Sequence, residues 1–133
     1  MSLFRFVQWI SEGRTVTVYG DGQQSRDFTY VEDIARGTIA ALRPVGYEVI
    51  NLGSDHPVVL MDAIRLVESL VGREARLEFS PAHRSDVRAT WAGVEKACKV
   101  LGWKPSVEFA HGVSQLSEWY RDNRHWARMV MTG

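Results

Sequence analysis

The segment VYGDGQQSRDFTYVEDIA, residues 18–35, decides the fold because it joins a strand end, a turn and a helix start. Val16–Tyr19 is rich in β-branched residues and predicts a strand. Gly20–Gly22 predicts a turn, since glycine tolerates positive φ and Asp-Gly is a strong turn signal. Thr29 and Glu32 form a capping-box pattern, which predicts a helix start. Pro44 prevents that helix from continuing.

Helical and strand patterns alternate along the rest of the chain. Helical segments repeat apolar residues at intervals of three and four, whereas strand segments are short and bounded by glycine or proline. The predicted helices are Phe4–Glu12, Tyr30–Leu42, Leu60–Val71, Val94–Leu101 and about Glu108–Arg128, and the further strands are Tyr47–Leu52 and Ala75–Phe79. This alternation predicts an α/β domain with some parallel pairing. No linker divides the chain, so residues 1–133 are expected to form one portion.

The composition is that of a globular chain with no general attraction to polyanions. Hydrophobic residues make up 45% of the 133 residues, and 16 lysines and arginines balance 16 aspartates and glutamates. This balance argues against nucleic acid or a membrane surface as partner. No apolar run approaches the ~18 residues that a membrane span needs. The one cysteine, Cys98, excludes an intrachain disulfide and fits a reducing, cytoplasmic setting.

Arg26 is a first candidate for binding an anion. It follows the turn and precedes a helix N-terminus, where free amides and an arginine fork suit a phosphate. The alternative is an ordinary surface arginine paired with Asp21 or Asp27. The turn itself, Gly20–Gly22, lacks the third glycine and the directly following helix of a dinucleotide-binding loop, so a plain turn is favoured.

A second candidate is the loop that contains His83, Arg84 and Asp86. It lies between a predicted strand and a predicted helix, where ligands of α/β proteins often bind, and its side chains suit a phosphate and a ribose hydroxyl. The alternative is an ordinary polar loop. The four histidines of the chain are scattered. No cluster has the spacing of metal ligands, so no metal site is predicted.

The opening segment also carries a family resemblance. Residues 18–35 resemble the YGDGxQxRDFxYVxDxA signature of extended short-chain dehydrogenases, in the form found in nucleotide-sugar epimerases and dehydratases. Further similar segments are YEVINLG at 47–53, HRSDVRATWA at 83–92, KA at 96–97 and LGWKP at 101–105. The order and spacing match from about Phe4 to Trp126. The pattern is similar to that of UDP-glucose and UDP-glucuronate 4-epimerases.

The resemblance implies a partial extended short-chain dehydrogenase fold, comprising the C-terminal substrate-binding domain and the edge of the Rossmann sheet. Residues 30–52 resemble the last Rossmann helix and strand, so the chain would carry a sheet edge without its neighbours. Exposed edges and apolar faces promote association. The expected partners are therefore a second copy of the chain, as a homo-oligomer, or a missing N-terminal NAD-binding chain.

The resemblance also implies roles for individual polar residues. Arg26 would contact the nucleotide diphosphate, and Asp86 would bond the ribose. His83 occupies a position that is often a diphosphate-binding arginine, and Arg84 is adjacent to it. A histidine there would make phosphate binding weaker and dependent on pH near its ordinary pKa of ~6.5.

In such enzymes the strand before the turn lies beside the base, which implies that Val16, Thr17 and Val18 lie near a uracil or thymine. Two positions depart from the family pattern. Gly93 stands where an aspartate is common, and Val59 stands where serine or threonine is usual before a helix. Each change removes a helix cap, at a cost of ~1 kcal/mol.

The residues that carry the family's chemistry are not present in this sequence. Relatives bind NAD through a glycine-rich loop and abstract protons with a Tyr-x-x-x-Lys pair. None of the four tyrosines is followed four residues on by lysine. The chain is therefore predicted to bind a UDP-sugar or related nucleotide sugar, with no catalytic or cofactor-binding residue of its own, and to be inactive alone. The alternative is a non-catalytic remnant that acts as a dimerising or interaction module.

Overall fold

The computed structural model of the chain describes residues 3–44, 46–82 and 86–132. The helices are α1 (Leu3–Glu12), α2 (Val31–Ala40), α3 (Leu60–Val71), α4 (Glu95–Leu101) and α5 (Phe109–Ala127). The strands are β1 (Thr15–Tyr19), β2 (Ser25–Arg26), β3 (Val58–Val59) and β4 (Arg76–Ser80). Within these described residues, no helix is both long and apolar enough to cross a membrane.

The longer strands form a parallel pair. In β1 and β4, Thr15 lies opposite Arg76 and Tyr19 lies opposite Ser80. A parallel pair needs a long crossover connection, and here the connection contains α2 and α3. The α/β class and the parallel pairing expected from the sequence are therefore confirmed.

The main core lies among α1, β1, α3 and α5. Helix α1 turns Phe6, Val7 and Ile10 to one side, as helical spacing requires. Strand β1 contributes Val16 and Val18, because alternate side chains of a strand point to the same face. The remaining buried members are Leu60, Ile64 and Val67 of α3 and Val113, Tyr120 and Ala127 of α5. This core fixes the position of β1, which forms one wall of the candidate site.

A smaller apolar cluster joins α2 to α4. Its buried members are Ala97, Leu101 and Trp103. The indole nitrogen of Trp103 donates to the carbonyl of Asp33 at 2.8 Å. The buried carboxylate of Asp33 in turn accepts bonds from the main-chain nitrogens of Ser106 and Val107, both at 3.0 Å. These contacts attach the 103–107 loop to α2.

Helices α1, α3, α4 and α5 lie within a residue or so of their predicted bounds. Gly72 ends α3 with a φ of 72°, in the left-handed conformation expected of a glycine C-cap. Val59 and Val94, the N-cap residues of α3 and α4, make no side-chain capping bond. Val59 therefore leaves α3 without a side-chain cap, as expected. Gly93 lies one residue before the N-cap of α4, so the cap loss expected there stays a prediction.

The predicted capping box of α2 is wrong. The N-cap residue is Tyr30, which makes no side-chain capping bond. Glu32 and Asp33 in the first turn give the helix dipole its favourable negative charges instead. The helix also ends at Ala40, two residues before the predicted end. The main-chain nitrogens of Ala41 and Leu42 donate to carbonyls three residues earlier, on Thr38 and Ile39, which is the tighter pattern of a helix end.

The strand predicted over Tyr47–Leu52 is also wrong, since the described residues 46–52 contain no strand. A strand needs a hydrogen-bonded neighbour, and no described segment pairs with these residues. Tyr47 is 96% exposed, whereas Ile50 and Leu52 pack on the smaller cluster. The two-residue strands β2 and β3 were not predicted, because they are too short to show a periodic pattern.

Candidate functional site

Strand β2 brings together the two polar residues that the sequence singled out. It pairs antiparallel with β3, and Arg26 lies opposite Val58. On its other side, the Ser25 nitrogen donates to the Arg88 carbonyl at 2.9 Å, and the Thr90 nitrogen donates to the Ser25 carbonyl at 3.2 Å. The 86–90 segment therefore runs beside β2, which places Asp86 next to Arg26.

Arg26 and Asp86 form an ion pair. One guanidinium nitrogen of Arg26 bonds the Asp86 carboxylate, and another donates to the Ser25 carbonyl at 2.7 Å. The side chain of Arg26 is only 15% exposed, whereas that of Asp86 is 36% exposed. Arg26 does not form the alternative pair with Asp21 or Asp27, so it is not the ordinary surface arginine considered above.

The pair faces a cavity of about 200 Å³ between α1, β1 and β2. Its described lining consists of Arg5, Phe6, Thr17, Tyr19, Arg26 and Asp86. The cavity thus combines two cations, a carboxylate, a hydroxyl and two aromatic rings. This set of groups suits a ligand that has an anionic part, hydroxyl groups and a flat ring.

Strand alternation divides the three residues predicted to lie beside a base. The Thr17 side chain lines the cavity. The side chains of Val16 and Val18 are completely buried in the main core, so they do not line the cavity, and their place beside a base stays a prediction. Successive side chains of a strand point to opposite faces, and these two point away from the cavity. Any contact of Val16 or Val18 with a ligand must come from the main chain.

Three lining residues were not among the predicted site residues. Arg5 and Phe6 come from α1, which the sequence marked only as an amphipathic helix, and Tyr19 ends β1. Phe6 is buried, whereas Tyr19 is half exposed. Their proximity depends on how α1 packs on β1, and no local spacing in the sequence encodes that. His83 and Arg84, the remaining predicted site residues, lie outside the described residues.

Asp27, the residue after Arg26, connects two loops next to the site. Its carboxylate accepts bonds from the Ser54 nitrogen at 2.7 Å, the Asp55 nitrogen at 3.2 Å and the Ala92 nitrogen at 2.9 Å. Burial raises the pKa of Asp27, but the bonds from Ser54, Ala92 and Asp55 outweigh burial and lower it. Asp27 is therefore an ionised clamp that holds the 53–55 loop against the 90–92 segment.

The glycine turn has the geometry of a plain turn. Gly20 and Gly22 have φ values of 82° and 75°. A side chain at Gly22 would approach the Met61 Cγ to 2.6 Å. The turn leads into β2 and not into a helix, so it lacks the strand–loop–helix arrangement that binds the diphosphate of NAD. Among the described residues, no group of three or more His, Cys, Asp or Glu side chains could hold a metal ion.

Comparisons with known proteins give this geometry a family. The sequence family described as GDP-mannose 4,6 dehydratase matches residues 1–116. A UDP-glucuronate 4-epimerase from Thermodesulfobacterium geofontis is 45% identical over 124 residues, which cover 92% of this chain and 38% of that protein. A probable UDP-glucuronate 4-epimerase from Rhizobium meliloti is 34% identical, over a match that covers 92% of this chain and 42% of that protein.

Solved structures agree with the sequence matches. The UDP-glucuronic acid 4-epimerase from Bacillus cereus, in complex with UDP-glucuronic acid and NAD, superposes with a TM-score of 0.86 at 32% identity. The superposed region covers 92% of this chain and 40% of the Bacillus cereus chain. MoeE5, in complex with the same two ligands, gives a TM-score of 0.89 at 31% identity, over 92% of this chain and 42% of that chain.

The chain belongs to the family of NAD-dependent nucleotide-sugar epimerases and dehydratases, and it has part of the extended short-chain dehydrogenase fold. Within that family it resembles part of a UDP-sugar 4-epimerase. It spans between 38% and 42% of the length of these relatives.

Proposed function

We propose that the chain is the nucleotide-sugar-binding portion of an NAD-dependent sugar epimerase, and that its ligand is a UDP-sugar. The ion pair of Arg26 and Asp86 at the cavity carries this proposal. Two residues that are sixty positions apart meet in one place, and they have the two chemistries that a nucleoside diphosphate needs.

Arg26 is suited to the diphosphate. Its guanidinium can offer two parallel N–H groups to phosphate oxygens, and β2 and Asp86 already hold it in place. Asp86 is more exposed than Arg26 and accepts hydrogen bonds, so it is suited to the ribose hydroxyls. His83 and Arg84 would add further phosphate contacts.

Thr17 and Tyr19 are suited to the base. Tyr19 lies half exposed at the end of β1, where its ring offers a stacking surface for a pyrimidine. Within the described residues, β1 pairs only with β4, so main-chain groups on its other edge are available to the base. This route allows Val16 and Val18 to contact the base even though their side chains face the core.

Hydride transfer in this family is the chemistry of NAD. The chain has no Tyr-x-x-x-Lys pair for proton abstraction. We therefore propose that turnover requires groups from the NAD-binding part, whether on the same polypeptide or on a separate one. The portion described here binds and orients the nucleotide end of the substrate.

Calorimetric titration with UDP and then UDP-glucose tests the proposal. The wild-type chain should bind both saturably, and Arg26→Ala should lose most of that affinity. Arg65→Ala is the matched control, because Arg65 is 69% exposed on α3 and lines none of the cavity. The absence of binding at millimolar UDP would contradict the proposal.

A second candidate function is a dimerising or interaction module without ligand affinity. The observation that favours it is a set of exposed apolar side chains on and after α2. Its members are Val31, Ile39, Leu42, Tyr47 and Val49. In this alternative the chain would associate through these residues and would show no affinity for UDP.

A further inference from the structure

Arg5 is a second arginine of the candidate site, and neither the sequence motifs nor the comparisons give it a role. It lies on α1, the helix that packs Phe6 and Val7 into the main core. Because α1 is fixed in this way, the position of Arg5 beside the cavity is fixed with it. It lines the same cavity as Arg26 and Asp86.

The Arg5 guanidinium is oriented by an aromatic ring. Its central carbon lies 5.1 Å from the centroid of the Trp9 ring, one helical turn further along α1. A cation–π contact attracts the guanidinium charge to the ring face and does not require its N–H donors. Trp9 therefore restricts the side chain before any ligand arrives, and this lowers the entropy cost of binding.

One of these donors lacks a partner within the part of the chain that the structure describes. The Arg5 Nε is fully buried and makes no hydrogen bond there. A buried donor without a partner is costly, and arginine cannot shed its charge to escape that cost. A small shift of the side chain that exposes Nε to the cavity would let a ligand oxygen supply the missing acceptor.

Charge balance points to the same ligand class. Arg26 and Asp86 neutralise each other, so Arg5 supplies the excess positive charge of the described lining. A diphosphate carries more than one negative charge and would gain little from a cavity that was neutral overall.

We propose that Arg5 is a second cationic anchor for the diphosphate of a nucleoside diphosphate, acting with Arg26 across the cavity. This inference rests on the proposed function of the site. Arg26, held by Asp86, positions the diphosphate, and Arg5 supplies the net attraction and the second set of donors.

Titrations of the full chain with UDP and with uridine test this role. Arg5→Gln should weaken UDP binding about tenfold or more, as expected for a charged hydrogen bond. The affinity of Arg5→Gln for uridine should stay within about twofold of the wild-type value. Arg5→Met keeps the stem that packs on Trp9 and should give the same pattern, so it replaces Arg5→Gln if that variant does not fold. Arg65→Gln, which makes the same charge change at an exposed position of α3, should bind UDP like the wild type.

The result that overturns the proposal is UDP binding by Arg5→Gln or Arg5→Met at wild-type strength. An equal loss of UDP and uridine affinity would also overturn it, because it would show that Arg5 shapes the cavity and does not bind phosphate. If the wild-type chain binds no UDP, the proposed function fails together with this inference. If the wild-type chain binds UDP and the Arg5 variants bind it equally well, this inference fails and the proposed function stands.

Discussion

The guanidinium of Arg26 bonds the carboxylate of Asp86, although sixty residues separate them. Strand β2 makes this possible, because the main chain of Ser25 bonds both Arg88 and Thr90. The ion pair thus depends on a strand of only two residues. The proposed roles of the two side chains can be separated by ligands that lack one part of the nucleotide.

Substitutions at Arg26 and Asp86 should differ in their effect on uridine. Asp86→Ala should weaken uridine binding about tenfold, because it removes a charged acceptor for the ribose hydroxyls. It should weaken UDP binding by at least as much, because it also releases Arg26. Arg26→Ala should weaken UDP by at least as much and leave uridine almost unaffected. Calorimetric titration with both ligands checks this. If Arg26→Ala reduced uridine binding as strongly as UDP binding, the diphosphate role would be wrong.

Asp33 should contribute strongly to stability. Its carboxylate is 1% exposed and accepts bonds from Arg36, Ser106 and Val107. Asp33→Asn should lower the free energy of unfolding by about 3 kcal/mol, since it leaves buried donors and Arg36 without their anion. Urea denaturation measures the change. The matched control is Asp62→Asn, whose pair with Arg65 has the same spacing but is exposed, and which should change stability by less than about 0.5 kcal/mol.

Asp33 also predicts a pH dependence of stability. Burial raises its pKa, but the bonds from Ser106, Arg36 and Val107 outweigh burial and lower it to about 2. A folded-state pKa below the ordinary value of 3.8 means that its contribution is complete above about pH 4. About 2 kcal/mol should then be lost as the pH falls from 4 towards 2, and Asp33→Asn should lack this part of the acid transition. An identical acid transition in the variant would contradict the assignment.

Tyr120 should ionise at a higher pH than a tyrosine ordinarily does. It is buried, and its hydroxyl donates to Glu12 at 3.0 Å. Burial and that bond to Glu12 raise the pKa of Tyr120 to about 12. A raised pKa stabilises the fold below pH 10, and the contribution is lost as the pH rises from 10 to 12. Spectrophotometric titration should show an ionisation near pH 12 that disappears in Tyr120→Phe. The control Tyr47→Phe, at a 96% exposed position, should leave that ionisation in place.

The exposed apolar residues on and after α2 should promote self-association. Ile39→Glu should shift the chain towards monomer, because it places a charge in that set. Met131→Glu is the control, since Met131 is exposed on a different segment. Light scattering across micromolar concentrations measures the effect. A wild-type chain that is monomeric throughout this range would contradict the expectation.

The sequence was sufficient for the helices because their cores follow regular spacing. Phe6 and Ile10, or Leu60 and Ile64, are separated by four residues and pack as that spacing requires. It failed at Tyr47–Leu52, where a β-rich pattern has no described strand to pair with. Local pattern specifies which residues favour a strand, but hydrogen bonding to a neighbour decides whether a strand forms.

The candidate site was predictable only where a motif marked it. Arg26 and Asp86 belong to the motifs and meet in the structure. Arg5 and Tyr19 line the cavity because α1 packs on β1. The Val16 side chain does not line it, because alternate side chains of β1 point to the core. Which side chains line the cavity depends on tertiary packing, and the residue spacing within one segment does not predict it.

The most direct test of the account is a crystal structure of the chain with UDP. The diphosphate should lie within hydrogen-bond distance of the Arg26 guanidinium, with the ribose beside Asp86. The competing location is the groove of 330 Å³ lined by Ser114, Ser117, Arg121 and Arg124, which also offers two arginines. UDP bound in that groove, with the cavity at Arg26 empty, would contradict the central claim.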